Sequence, residues 1–325
     1  MTAKSNTVNT VLGPVPADGL GVVSVHEALL SVVPGAEYAF DITMDRAEIF
    51  QTLAGKLTDF RDHGGRTIVD STGMFHGRDV TLYEALSRST GVHIVASTGM
   101  GPEEMLGGYF LTPQTNPPAP WPAGKFAELF TKEVTEGMVV PRVERRGAAG
   151  LVATAANHQG MTATEESLFR GAARTARSTG VPVSIRYGKG AADDLEVVLD
   201  EKLPAGRVVV GGLDRKDAVA VGAAHEIARR GAFIALDHVG LDDAAAYVTD
   251  RERAALVVEL VKAGHGNRVL LSGNAIGVAK GQPGNDLPYS YVLSTFVPLL
   301  TSRGLSEEDV QRILVGNPRE LLSVR

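Results

Sequence analysis

A (β/α)₈ barrel, the TIM-barrel form of the α/β class, is the fold that this chain predicts, on three observations. Eight short apolar runs, most of them rich in β-branched residues, recur along it. Each run ends at a polar or glycine-rich turn, and segments with helical patterning fill the gaps. At 325 residues the chain accommodates one such barrel with insertions and needs no second domain.

The elements follow in order. Residues 1–20, with Gly13, Pro14 and Pro16, read as a short extended lead-in that covers the barrel floor or edge; the barrel itself takes residues 21–325. The predicted strands are Gly21–His26, Thr67–Ser71, His93–Thr98, Gly150–Ala155, Pro182–Tyr187, Arg207–Gly212, Ala232–His238 and Asn267–Gly273. Glu165–Ser178 and Asp214–Arg230 are typical of the helices between them. Two connections on the presumed active face are long, Gly99–Lys125 after the third strand and Ala275–Leu287 after the eighth. Loops of that length at that face are expected to act as lids or substrate walls. From Tyr289 the chain turns helical, with Ser306-Glu-Glu-Asp as a helix start.

Composition narrows the function classes. Hydrophobic content of 44% and charged content of 22% are those of an ordinary soluble globular protein. A net charge of −6 and the lack of a basic block argue against nucleic acid as a partner; the densest cluster, Arg142–Arg146, reads as a solvated loop. No cysteine is present, so neither disulfides nor thiolate chemistry is available. No signal-like or membrane-length apolar segment occurs, and a cytoplasmic location is expected, with no membrane partner.

In such barrels the chemistry sits at the C-terminal ends of the strands. Those ends carry His26, Asp70, Thr98, Ala153–Asn157, Arg186, Gly212, Asp237–His238 and Asn274. Gly99-Met-Gly lacks both the completed G-x-G-x-x-G pattern and a P-loop lysine, so it reads as a flexible turn.

The order of certain stretches resembles the phosphotriesterase family of the amidohydrolase superfamily over nearly the full length. They are Gly21-Val-Val-Ser-Val-His-Glu, Thr67-Ile-Val-Asp-Ser-Thr, Gly77-Arg-Asp-Val, Ser87-Arg-Ser-Thr-Gly-Val-His-Ile-Val-Ala-Ser-Thr-Gly and Glu133-Val-Thr-Glu-Gly. Thr179-Gly-Val-Pro-Val, Leu236-Asp-His and Gly316-Asn-Pro-Arg complete the set. The resemblance implies a binuclear metal site that activates a water for attack on an ester, lactone or phosphotriester. Its ligands would be a His-x-His pair on the first strand, a carboxylated Lys on the fourth, a His on each of the fifth and sixth, and an Asp on the eighth. Carried over by position, only His26 survives. Ala28 stands for the second His, Ala153 falls at or beside the Lys, Arg186 and Gly212 replace the two later His, and Asn274 replaces the Asp. Ala and Gly cannot ligate, Arg is a fixed cation, and a neutral Asn is a poor bridging ligand. The expectation is therefore no binuclear centre and no cofactor. A single divalent ion on some of His26, Asp70, His158, Asp237 and His238 is a weaker alternative, because none of these has tight ligand spacing.

The chemistry expected is metal-independent hydrolysis of a small anionic or polar ester, lactone or amide-like substrate. Arg186 would anchor or polarise the substrate, or else pair structurally with Asp237 or Asp70. His26 would serve as base, or Asp237 would if burial raised its pKa, and Asn274 would stabilise an oxyanion. Lys189, Asn157, His158, Met100 and Lys280 are further candidates for substrate contact; Met100 stands where the family often has a tyrosine. If the seventh strand persists, His238 points away from Asp237. Arg78 and Asp79, at the start of the second helix, read as a structural ion pair. A non-catalytic small-molecule-binding relative and a metallohydrolase with rearranged ligands are the alternatives, and a homodimer is expected from the resemblance alone.

Overall fold

The computed structural model describes residues 6–106, 119–140 and 144–324. All eight expected runs contain a strand: β1 (Val22–Val32), β2 (Gly65–Asp70), β3 (His93–Met100), β4 (Leu151–Ala155), β5 (Val183–Arg186), β6 (Val208–Gly211), β7 (Phe233–Leu236) and β8 (Val269–Leu271). They pair in parallel in chain order, which is the (β/α)₈ arrangement. Closure differs from the expectation. After β8 the chain turns and resumes as β9 (Ile276–Lys280), which pairs with β1 from Ile276 opposite Ala28 to Lys280 opposite Val32. The apolar run of β1 continues well beyond His26, and β9 supplies its partner. The first part of the expected eighth-strand loop is therefore a strand.

Two apolar layers hold the barrel. Inside it, Val23, Val25, Val69, Val95, Leu151, Val209, Phe233 and Leu270 form one buried cluster. A second, larger cluster fills the space between the strands and the outer helices. The N-terminal lead-in is a hairpin, Thr7–Thr10 against Gly13–Pro16. Its Val8, with Ala17 and Leu20 beyond, joins the inner cluster and so plugs the barrel floor. With the floor filled, the open end is the one where the strands finish.

Local sequence sets the helix ends. The helix Ala163–Thr179 starts at a capping box, Thr162 with Glu165, and stops at Gly180 at φ 84°. Asp214–Arg230 is not one helix but two, Lys216–Ala220 and Ala223–Arg229. Gly222 lies between them at φ 66°, a left-handed conformation that ends one helix before the next begins. Arg78 does form a buried ion pair, but with Glu133 at 2.6 Å; Asp79 instead caps the helix Val80–Thr90. Of the cluster at 142–146, residues 142 and 143 lie outside the described residues, as do 107–118 of the third-strand loop. Among the described residues no helix is long and apolar enough to cross a membrane.

Candidate active site

At the C-terminal ends of the strands a cavity of about 200 Å³ opens, and its walls are set by the backbone. Register with β2 shifts between Ser24 and Glu27, so β1 carries a bulge there. In a regular strand neighbouring side chains face opposite ways; the bulge lets His26 and Glu27 both line the cavity. Opposite them stand Ser184 and Arg186, two residues apart and therefore on one face of β5, with Asp237 just beyond β7.

His26 is held from both sides. Its Nδ1 lies 2.7 Å from Asp237 Oδ2 and its Nε2 2.8 Å from Ser184 Oγ, all three residues being buried. An ionised carboxylate only accepts, so Nδ1 carries the proton and donates it to Asp237. In neutral His26 that leaves Nε2 as the acceptor of the Ser184 hydroxyl proton. Two glycines support this line, the first by leaving room for it and the second through its backbone N–H. A Cβ on Gly211 would sit 2.5 Å from Asp237 Oδ2 and 3.0 Å from His26 Nδ1. Gly212, at φ 76°, turns its N–H onto Asp237 Oδ1 at 2.7 Å.

Behind Asp237 lies a second network. β7 ends at Leu236, and the chain leaves the strand before His238, whose ring turns back towards Asp237. The expectation that these two side chains diverge is thus overturned: His238 Nδ1 is 3.2 Å from Asp237 Oδ1 and 2.8 Å from Asp214 Oδ1. Tyr247 stacks on the imidazole at 3.7 Å, and buried Arg253 donates through Nε to Asp214 Oδ2 at 2.7 Å. Burial opposes charge on His238, but Asp237 and Asp214 outweigh it and push its pKa up to about 9. Burial likewise opposes ionisation of Asp237, yet His238 and His26 hold its carboxyl far below the usual range. Asp237 is therefore a fixed anion rather than a raised-pKa base, contrary to the expectation.

The Arg186 guanidinium makes no hydrogen bond or ion pair among the described residues, although the backbone carbonyl accepts from Ala156 N at 3.1 Å, so the expected structural pairing with Asp237 or Asp70 does not form. Its side chain meets the water of the open cavity while enough protein surrounds it that burial lowers its pKa, with Asp237 acting the other way. Asp70 faces away, taking hydrogen bonds from Leu29 N at 2.8 Å and Tyr83 Oη at 3.0 Å. His76, which the sequence did not single out, also lines the cavity; burial and then Arg186 lower its pKa, and its Nε2 has no hydrogen-bond partner among the described residues. Glu27, likewise unforeseen, accepts from Gly273 N at 3.0 Å and Ala275 N at 2.5 Å, and burial raises its pKa to about 7.

Asn274 and Met100 line the cavity too; Asn274 sits at φ 48°, a left-handed position that Asn tolerates better than most residues. The other proposed contacts lie elsewhere. His158 and Lys189, in the loops after β4 and β5, are exposed and do not line the cavity. Asn157 is drawn to the helix Ala163–Thr179, its backbone N–H donating to Glu165 Oε2 at 3.1 Å. Lys280 ends β9, away from the cavity wall.

The donor set can be compared with what a metal pair needs. Ala28, Ala153 and Gly212 carry no ligating atom, Arg186 is a cation, and both ring nitrogens of His26 are engaged. These residues do not fit a binuclear centre. Asp214, Asp237 and His238 bring three ligating atoms close together, but those atoms already bond to one another, to His26 and to Arg253.

The model of the phosphotriesterase family matches residues 6–322. The aryldialkylphosphatase of Saccharolobus solfataricus is 25% identical over 94% of this chain and 95% of its own length. The N-acetyltaurine hydrolase of Salmo salar is 23% identical over the whole of both chains. Among solved structures, a mutant organophosphorus hydrolase from Deinococcus radiodurans superposes with a TM-score of 0.85 at 26% identity, covering 97% of each chain.

Proposed function

The chain belongs to the phosphotriesterase family as a phosphotriesterase-like hydrolase, and we propose that it cleaves an ester, lactone or amide-like bond without the family's metal pair. Its substrate is a small molecule that carries an anionic or strongly polar group. The observation that supports this best is the unpaired Arg186 beside the hydrogen-bonded His26–Asp237 pair in one cavity. Where relatives would hold two cations, this chain offers one guanidinium, suited to holding a carboxylate, sulfonate or phosphate. A neutral phosphotriester gives Arg186 no anion to meet. N-acetyltaurine, by contrast, is an amide with a sulfonate, and it names several relatives.

His26 Nε2 is the base that accepts the proton released by the attacking hydroxyl, and Asp237 fixes the tautomer and stabilises the imidazolium that results. Asn274 offers its amide to the developing oxyanion.

Turnover on N-acylated amino sulfonates and amino carboxylates, on lactones and on aryl phosphotriesters tests this reading. The anionic amides and esters should be preferred. Arg186→Ala should weaken kcat/KM for them by about 10- to 100-fold, the value of a charge-assisted hydrogen bond. An equal loss on an uncharged analogue would remove Arg186 from substrate binding.

A further inference from the structure

We propose that Ser184 is a covalent nucleophile, so that hydrolysis passes through an ester on its side chain rather than by direct attack of water. This rests on the metal-independent hydrolase reading above and goes one step further. A serine hydroxyl is a weak nucleophile unless a base takes its proton and a third group orients the base. All three parts are present. Ser184 Oγ is 2.8 Å from His26 Nε2, and His26 Nδ1 is 2.7 Å from Asp237 Oδ2. The tautomer imposed by Asp237 aims the free lone pair of His26 at Ser184, not away from it. Among the described residues, the Ser184 hydroxyl has no other hydrogen-bond partner. Its strand is held in place, since Thr154 Oγ1 donates to the Ser184 carbonyl at 3.0 Å and ties β4 to β5. Such a constellation is recognised by geometry rather than chain order; the order here is His26, Ser184, Asp237.

Ser184 and Arg186 share one face of β5, so their Cα atoms are roughly 6–7 Å apart along the strand. A substrate held by its anionic group on Arg186 thereby presents its acyl carbon to Ser184. The Oγ–C bond forms as the hydroxyl proton passes to His26 Nε2. The tetrahedral adduct collapses with breaking of the bond to the leaving amine or alkoxide, which takes that proton. Water then attacks the Ser184 ester, giving its proton to His26; the Oγ–C bond breaks and Ser184 recovers the proton. One water is consumed, and no atom changes oxidation state.

The test is to treat the full chain, in chelator, with a small alkyl fluorophosphonate, then measure intact mass and map the adduct by peptide. One phosphonyl group per chain at Ser184 is expected, absent from Ser184→Ala and His26→Gln, with turnover of Ser184→Ala down about 10³-fold or more. Absence of an adduct on the unaltered chain, or an adduct at another residue, overturns the proposal and does not depend on a variant folding. So does a Ser184→Ala protein within about tenfold of full turnover. If turnover survives chelation while Ser184 is unlabelled and dispensable, only the serine step falls, and His26 activates water directly. If turnover collapses in chelator, the metal-independent reading falls with it.

Discussion

Gly211 is a residue without a side chain on which the His26–Asp237 pair depends. Its missing Cβ is the space that Asp237 Oδ2 and His26 Nδ1 occupy. Gly211→Ala should cost about 1–3 kcal/mol of stability, because the intruding methyl forces its neighbours aside. It should also lower kcat by about 10²-fold or more, since the base loses its alignment. Denaturant midpoint and kcat check the two effects; loss of stability with full turnover would detach the pair from the reaction. At this scale the sequence was legible where a polar residue ends a strand. His26, Arg186, Asp237 and Asn274 all reach the cavity. Ser184 was hidden because a lone serine inside Val-Ser-Ile looks like strand filler. The available signal was its i, i+2 spacing from Arg186, which puts both on one face. His158 and Lys189 misled for the opposite reason: a strand end fixes position, but the loop beyond it does not.

Glu27 acts between elements. It sits on β1 and accepts N–H bonds from Gly273 and Ala275, in the turn between β8 and β9, so it pins the two ends of the sheet where the barrel closes. Burial raises its pKa from 4.5 to about 7, so the folded state binds its proton more tightly than the unfolded state does. That contribution to stability is complete below about pH 4.5 and is lost as pH rises through 7. Glu27→Gln has no such proton. The stability of the parent relative to this variant should therefore fall between pH 4.5 and 7.5, by on the order of 3 kcal/mol. Thermal or urea unfolding of both proteins across that range measures it, and a pH-independent difference would mean that Glu27 titrates normally. Periodicity located the eight strands but not this junction. β-strand alternation cannot announce a bulge such as the one before Glu27, nor the break that makes β9 a separate strand. Likewise, the single helix expected over Asp214–Arg230 overlooked Gly222, whose φ of 66° divides it.

At the scale of the whole molecule, a barrel with a filled floor and one open mouth keeps the family's fold, and the chemistry of that mouth is where we propose that it differs. The positions at which the resemblance implies ligands for two cations hold Ala28, Ala153, Arg186, Gly212 and Asn274, and His26 is bound into a serine–imidazole–carboxylate line. The fold was legible because alternating strands and helices have few other solutions. The misfit of these residues to a metal pair was also legible, because a guanidinium is itself a cation and three of the residues have no ligating side chain. The line itself was not, because three residues from β1, β5 and the end of β7 meet only in the folded barrel. The measurement that tests this account most directly is turnover on the preferred anionic substrate, with metal content read by mass spectrometry on the same sample before and after exhaustive chelation. Unchanged kcat with less than about one-tenth of an ion per chain is expected, since His26 supplies the base that a bound metal otherwise provides. Loss of turnover on chelation, restored by zinc, manganese or cobalt in proportion to occupancy, would contradict it.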